Sequence, residues 1–140
     1  MLGSKAESEG TTGHCVVIDS GSSASIFSKK DLLTDVLPTS KELTLLTNAG
    51  NLKSNMMGKH GELMVWHNSS SVANVLGLSH VAKTHRVTMD TGVEKAIYVD
   101  AGKKGIMKFE QIKNGLFAHD ASKPNLTIKP SFNYHLPSFL

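Results

Sequence analysis

The amino-acid sequence predicts an all-β domain, mainly β with one or two short helices, and three observations support this fold class. Short apolar runs rich in β-branched residues recur along the chain, and glycine- or asparagine-containing turns separate them. Apolar residues with helical spacing occur in only two short segments. The 140 residues are 39% hydrophobic, which suffices for one domain with its own core. Many short strands in one small domain favour a closed or nearly closed β-barrel.

Each predicted element follows from a local pattern. The first strand is a continuous apolar run, typical of a strand buried on both faces, and it ends at Asp19. The turn residues 48–51 separate two β-prone arms and predict a long hairpin with an exposed tip. The predicted elements are, in order, strand 15–18, a helical turn over 29–36 that Pro38 ends, hairpin arms 43–47 and 52–66, strand 72–76, a short helix over 78–82, strands 87–89, 96–99 and 106–109, and a last edge strand over 115–118.

The two ends of the chain differ in composition from the middle. Residues 1–13 are mostly small or polar and cannot offset the entropy cost of ordering, so we expect a flexible N-terminal arm. Residues 121–140 contain Pro124, Pro130 and Pro137 and predict an extended tail. The folded domain is therefore expected over 14–120, and both ends suit a segment excised from a longer chain.

The charge and the cysteine content exclude several classes of function. Fifteen basic and 12 acidic residues give a net charge of +3, and Arg86 is the only arginine, so no direct recognition of nucleic acid is expected. Cys15 is the only cysteine, which excludes an intrachain disulfide and a multi-thiolate zinc site. No apolar run approaches the roughly 18 residues that span a bilayer, so we expect no membrane partner and a cytoplasmic location.

Seven histidines raise the question of a metal site. The nearest pairs are His80 with His85 and His60 with His67, and neither has the i, i+4 spacing of helical zinc ligands. We interpret these histidines as surface residues and expect no metal and no cofactor.

The strongest local signal for chemistry is Asp19-Ser20-Gly21-Ser22, directly after the first apolar strand. Burial of a lone carboxylate is costly, but serine hydroxyls and the backbone N–H groups of a glycine-containing loop can satisfy it. Such a loop holds one acid in a fixed geometry. An Asp that merely opens a turn has the same local pattern, and Asp90-Thr91-Gly92 repeats it, so we interpret Asp90 as a turn residue.

Further motifs follow this loop in a fixed order. The turn over 48–51 comes next, then the triplet Val75-Leu76-Gly77, a short helix and a closing strand. In this order the chain resembles the retropepsin-like aspartic proteases, and more narrowly the protease segment of Ty1/copia-type retrotransposon polyproteins. The resemblance covers about residues 14–120 and is carried by residues 17–23, 45–50, 73–78, 86–90 and 115–117.

The resemblance implies a closed β-barrel with a flap hairpin that acts as a homodimer, because each copy would contribute a single acid to a two-fold symmetric site. The Ser20 hydroxyl would brace the two loops across the dimer, and Gly21 would present a backbone N–H to the carboxylates. Gly77 would let its strand pass tightly under the catalytic loop. The implied site residues are Asp19, Ser20 and Gly21 in catalysis, Asn48, Ala49 and Gly50 in the flap, and Ser22, Val75, Leu76 and Gly77 as support.

The implied activity is that of an aspartic endopeptidase that needs neither a metal nor a covalent intermediate. Its substrate would be a polypeptide, the Gag-Pol type polyprotein that contains it, cut in the cytoplasm or within virus-like particles. Ser22 stands where many retroviral relatives have Ala, and we expect its hydroxyl to donate to Asp19 and to extend activity to lower pH. The alternative is a catalytically inactive protease-like β-barrel that acts as a monomeric binding or structural module.

Overall fold

The mostly β fold predicted from the sequence is confirmed in the computed structural model, which describes residues 14–47 and 50–127. One α-helix, α1 (Leu78–Ala82), and two short 3₁₀ turns, Lys30–Leu32 and Gly102–Lys104, interrupt the strands. The strands are β1 (Cys15–Asp19), β2 (Ile26–Phe27), β3 (Thr34–Thr47), β4 (Gly50–His60), β5 (Leu63–His67), β6 (Asn74–Gly77), β7 (Arg86–Met89), β8 (Ala96–Asp100), β9 (Ile106–Gln111) and β10 (Phe117–Asp120).

All ten strands belong to one sheet, which is open. Its order is β3-β4-β5-β2-β6-β1-β10-β9-β8-β7, and in the described residues no ladder joins β3 to β7. The closed barrel predicted from the sequence is therefore wrong. Every residue over 34–46 is exposed or half-buried, and β3 contacts the core through Val36, so it is an arm of a hairpin instead of a strand that closes the sheet.

Strand β1 lies in the interior of the sheet because its first four residues are apolar and buried on both faces, as their pattern predicts. It pairs in parallel with β6 and antiparallel with β10. The parallel register places Asp19 opposite Gly77. The core around β1 includes the fully buried side chains of Val16, Phe27, Leu76 and Phe109.

The long hairpin predicted around residues 48–51 is confirmed. Strands β3 and β4 pair up to Thr47 and Gly50, and the second arm breaks after His60 before it continues as β5. Gly50 has a φ of +119°, a left-handed backbone that favours glycine at this end of the hairpin. Asn48 and Ala49 lie outside the described residues.

Three local predictions are wrong for identifiable reasons. A helical turn over 29–36 ended by Pro38 is replaced by the short Lys30–Leu32 turn, and β3 runs through Pro38, which an edge strand tolerates because one side of its backbone needs no partner. The expected last edge strand is instead the interior strand β10, because apolar β1 is paired on both sides. Val72 is 96% exposed, so β6 begins only at Asn74.

Strand β2 was not predicted, since serine and glycine dominate residues 20–28. Its two residues are both buried, and Ile26 pairs with Trp66 and with Val75. This short strand therefore joins β5 to β6. The described part of the C-terminal segment, 121–127, is attached to the sheet by two hydrogen bonds between Ile106 and Leu126. No helix in these described ranges is long and apolar enough to cross a membrane.

The side chain of Asn74 joins three segments below the centre of the sheet. It is 2% exposed, its Oδ1 accepts the backbone N–H groups of Ser28 and Lys29 at 3.0 and 2.9 Å, and its Nδ2 donates to the carbonyl oxygen of Cys15 at 3.0 Å. Since backbone polar groups removed from water need partners, this one amide serves two donors in the turn after β2 and an acceptor at the start of β1.

We predict that Asn74→Ala lowers the free energy of unfolding by at least about 2 kcal/mol, because two half-buried backbone N–H groups and the buried carbonyl of Cys15 each lose a hydrogen bond. Chemical denaturation followed by tryptophan fluorescence measures the loss. Asn55→Ala, at an exposed position of β4, is the matched control and should change stability by less than about 0.5 kcal/mol. Equal stability of the two variants would contradict the role assigned to Asn74.

Candidate active site

The carboxylate of Asp19 lies at the C-terminal end of the buried strand β1. The residue is half-buried, and its Oδ1 accepts the backbone N–H of Gly21 at 2.8 Å. The backbone N–H of Ser22 donates to the Asp19 carbonyl oxygen at 3.3 Å, which closes a tight turn. The loop therefore holds one carboxylate at the surface, in an orientation fixed by its own backbone.

The residues that follow Asp19 differ in their surroundings. Ser20 and Gly21 are exposed, so both remain accessible to a partner. The Ser22 hydroxyl donates to the carbonyl oxygen of Ala24 at 2.7 Å. A hydroxyl has one proton to donate. The prediction that Ser22 donates to Asp19 is therefore wrong, and the expected extension of activity to lower pH loses its basis.

Gly77 lies directly beneath the Asp19 loop, at the place that the resemblance implies. A Cβ at this position would lie 2.6 Å from the carbonyl oxygen of Ser22 and 2.8 Å from that of Ala24. Any side chain would collide with backbone atoms, so only glycine allows β6 to pass this close. The preceding Val75 and Leu76 pair with Val17 and Ile18 of β1 and fix the register of this crossing.

Ser25 and His80 complete the support of the loop, and no local pattern in the sequence predicts this role for either residue. Ser25 is 2% exposed, and its Oγ accepts the backbone N–H of Gly77 at 3.0 Å. The same Oγ lies 2.7 Å from Nδ1 of His80 in helix α1. Burial is the main cause that lowers the pKa of His80, and the charges of Lys83 and His85 lower it further. The helix is thus tied to the loop through one buried hydroxyl.

The Asp90-Thr91-Gly92 motif, which repeats the pattern of Asp19-Ser20-Gly21, forms a turn, as we interpreted it. Asp90 Oδ1 accepts the backbone N–H of Gly92 at 3.0 Å, and its carbonyl oxygen accepts from Val93 and Glu94. This turn follows β7 at one end of the sheet order, whereas Asp19 follows the interior strand β1. The two carboxylates therefore belong to separate parts of the fold.

The histidines are not all surface residues, contrary to the interpretation from the sequence. His119 is 8% exposed, and His60, His67, His80 and His85 are half-buried. In the part of the chain that the structure describes, no three His, Cys, Asp or Glu side chains form a group that could hold a metal ion.

Neither a protein-family model, nor a curated protein, nor a solved structure matches this chain. The resemblance to retropepsin-like proteases therefore stays a prediction.

We predict that Gly77→Ala destabilises the protein by about 1–3 kcal/mol, because the added methyl group overpacks a site bounded by backbone oxygens. Thermal or chemical denaturation measures this change. Gly92→Ala is the control, since a Cβ at Gly92 would meet only the Asp90 side chain, at 3.2 Å, and no backbone oxygen. Wild-type stability of Gly77→Ala would show that the loop is not packed against β6 as described.

Proposed function

We propose that this protein is a retropepsin-like aspartic endopeptidase that acts as a homodimer and cleaves the retrotransposon polyprotein from which it derives. The observation that carries this proposal is the accessible Asp19 carboxylate at the end of a buried strand, held by the Gly21 N–H above the close crossing at Gly77. This geometry presents a single acid in a fixed orientation, which is what a shared two-acid site requires of each copy.

A dimer is required because one acid per chain is insufficient for the chemistry. In the described residues Asp90-Thr91-Gly92 is a turn at a distant part of the sheet, so a second acid comes from a second copy. Two-fold symmetry would bring the two Asp19 side chains together, with the exposed Ser20 of each copy at the contact.

Two carboxylates about 3 Å apart cannot both ionise, so the pair holds one proton and titrates as a unit. The ionised Asp19 accepts a proton from a bound water as the water oxygen attacks the peptide carbonyl carbon. The protonated partner donates its proton to the carbonyl oxygen, which gives a neutral tetrahedral diol. One hydroxyl of the diol then returns its proton to a carboxylate, the amide nitrogen receives the proton held by the other, and the C–N bond breaks.

The hairpin of β3 and β4 would act as the flap in this scheme. Its arms are long and its outer residues exposed, for example Leu46 at 82%, so its tip is available to contact a bound chain. An extended peptide is the substrate class that a strand-like flap can bind through backbone hydrogen bonds, with apolar side chains beside residues such as Leu46. Processing in the cytoplasm, within virus-like particles, agrees with this substrate.

We predict that Asp19→Asn lowers cleavage of an extended-peptide library by at least about a hundredfold, because the amide cannot accept the proton from water. A statine-type inhibitor should block the wild-type protein. Asp90→Asn is the matched control from the repeated motif and should retain wild-type cleavage. Equal cleavage by Asp19→Asn and wild type would assign the catalytic group elsewhere.

Sedimentation tests the required assembly independently of activity. The wild-type protein and Asp19→Asn should both form dimers, since the substitution preserves the shape of the loop. A protein that stays monomeric at high concentration and binds peptides without cleaving them would contradict the enzyme and support a monomeric binding module.

A further inference from the structure

A cavity of about 180 Å³ lies between the two halves of the open sheet at the end of β4. The turn after β4 lines one side, and the loop between β8 and β9 together with the end of β10 lines the other. Leu63 and Met107 are apolar residues of its lining. The imidazoles of His60 and His119 line the same cavity from opposite halves of the sheet. Nothing proposed for Asp19 uses this cavity.

The protonation states of both imidazoles follow from their hydrogen bonds. Nδ1 of His60 lies 3.0 Å from the carbonyl oxygen of Leu32, and Nδ1 of His119 lies 3.1 Å from that of Lys108. A carbonyl oxygen only accepts, so each Nδ1 carries a proton and each neutral ring has its lone pair on Nε2. Within residues 14–47 and 50–127, neither Nε2 has a hydrogen-bond partner. Each Nε2 is therefore the atom that an added proton would join.

The packing of the two rings opposes a positive charge. The His60 ring contacts Phe27 with centroids 5.0 Å apart, and the His119 ring contacts Phe109 at 5.4 Å, and both phenylalanines are fully buried. Burial is the main cause that lowers the pKa of each histidine. The charge of His60 lowers the pKa of His119 further, so the two rings repel once both are protonated.

The other charged groups around the cavity do not remove this repulsion. His85 and Lys104 are further basic residues that line it, while Glu62 is the one carboxylate among its lining residues. Asp120, next to His119, raises the pKa of that histidine, but less than burial lowers it.

His60 and His119 belong to different halves of the sheet, so repulsion between them acts to separate the halves. Strand β4 belongs to one half of the sheet and β10 to the other, and four strands separate them in the sheet order. No ladder joins β4 to β10, so the halves meet here through side chains. His60 is the last residue of β4, whose first residue, Gly50, lies at the tip of the hairpin.

We infer that the region where His60 and His119 line the cavity, here called the seam, opens when both histidines are protonated. With both rings neutral, the two halves pack together through the common core, which includes Leu63 and Met107. Protonation of both rings drives the halves apart at the cavity and releases the His60 end of β4. This inference does not depend on the proposed protease activity.

The direction of the pH dependence follows from the shifts. Both histidines have a pKa below 6.5 in the folded protein, so the unfolded or opened chain binds more protons in this range. The stabilisation is complete above pH 6.5 and is lost as the pH falls through the lowered values.

Hydrogen exchange of the full chain tests the seam. From about pH 7.5 to about pH 5.5, after correction for intrinsic rates, amides near the His60 end of β4 and in β10 should exchange at least about tenfold faster, while those of β8 change less than about twofold. The double variant His60→Asn/His119→Asn keeps the N–H donors to the two carbonyls but cannot titrate, so this response should disappear. His14→Asn, at an exposed position, is the control and should respond like wild type.

An equal acid response in the double variant, or a uniform increase over all strands of the wild type, would overturn the seam. If the double variant does not fold, NMR titration of the wild-type imidazoles tests the seam instead. A lowered pKa for both His60 and His119, together with faster exchange in β4 and β10, supports the seam. Ordinary titration of either one overturns it.

Discussion

The close approach of β6 to the loop after β1 is the contact on which the arrangement of the candidate site depends. At Gly77 the two backbones lie so near that a single methyl group would meet two carbonyl oxygens. The approach removes water from the Gly77 N–H, and a buried N–H without a partner is costly. Ser25 provides that partner and is itself tied to His80. The loop that carries Asp19 thus lies over a polar network formed by Gly77, Ser25 and His80.

A similar principle governs the remainder of the interior around β1. Apolar burial by Val16, Phe27 and Leu76 stabilises the sheet without fixing which loop lies where, because apolar contacts have little directional preference. The hydrogen bonds of Asn74 are directional and connect the start of β1, the turn after β2 and β6. Two small polar side chains, Asn74 and Ser25, therefore determine how the core segments are placed under the loop.

The sequence predicted those features that have a local cause. The apolar run of β1, the turn between β3 and β4 and the breaker at Gly77 each leave a pattern in neighbouring residues, and all three occur in the structure. Features that depend on distant partners were missed. The Ser25–His80 contact joins residues 55 positions apart, and β2 has only two residues in a serine-rich stretch. The Ser22 hydroxyl donates to Ala24, although the sequence pattern was also compatible with Asp19 as its acceptor. The open sheet was missed because a strand count does not tell whether the first and last strands meet.

An open sheet leaves unpaired backbone groups along its outer strands, which other extended chains can extend into polymers. Both outer strands of this molecule oppose that outcome. Strand β3 contains Pro38, an irregular register between Pro38 and Leu43, and exposed charges at Lys41 and Glu42. Strand β7 is only four residues long and begins with an exposed arginine, Arg86. Pro38 and the irregular register of β3, which the sequence did not predict, and the short length of β7 thus oppose edge-to-edge aggregation of the molecule.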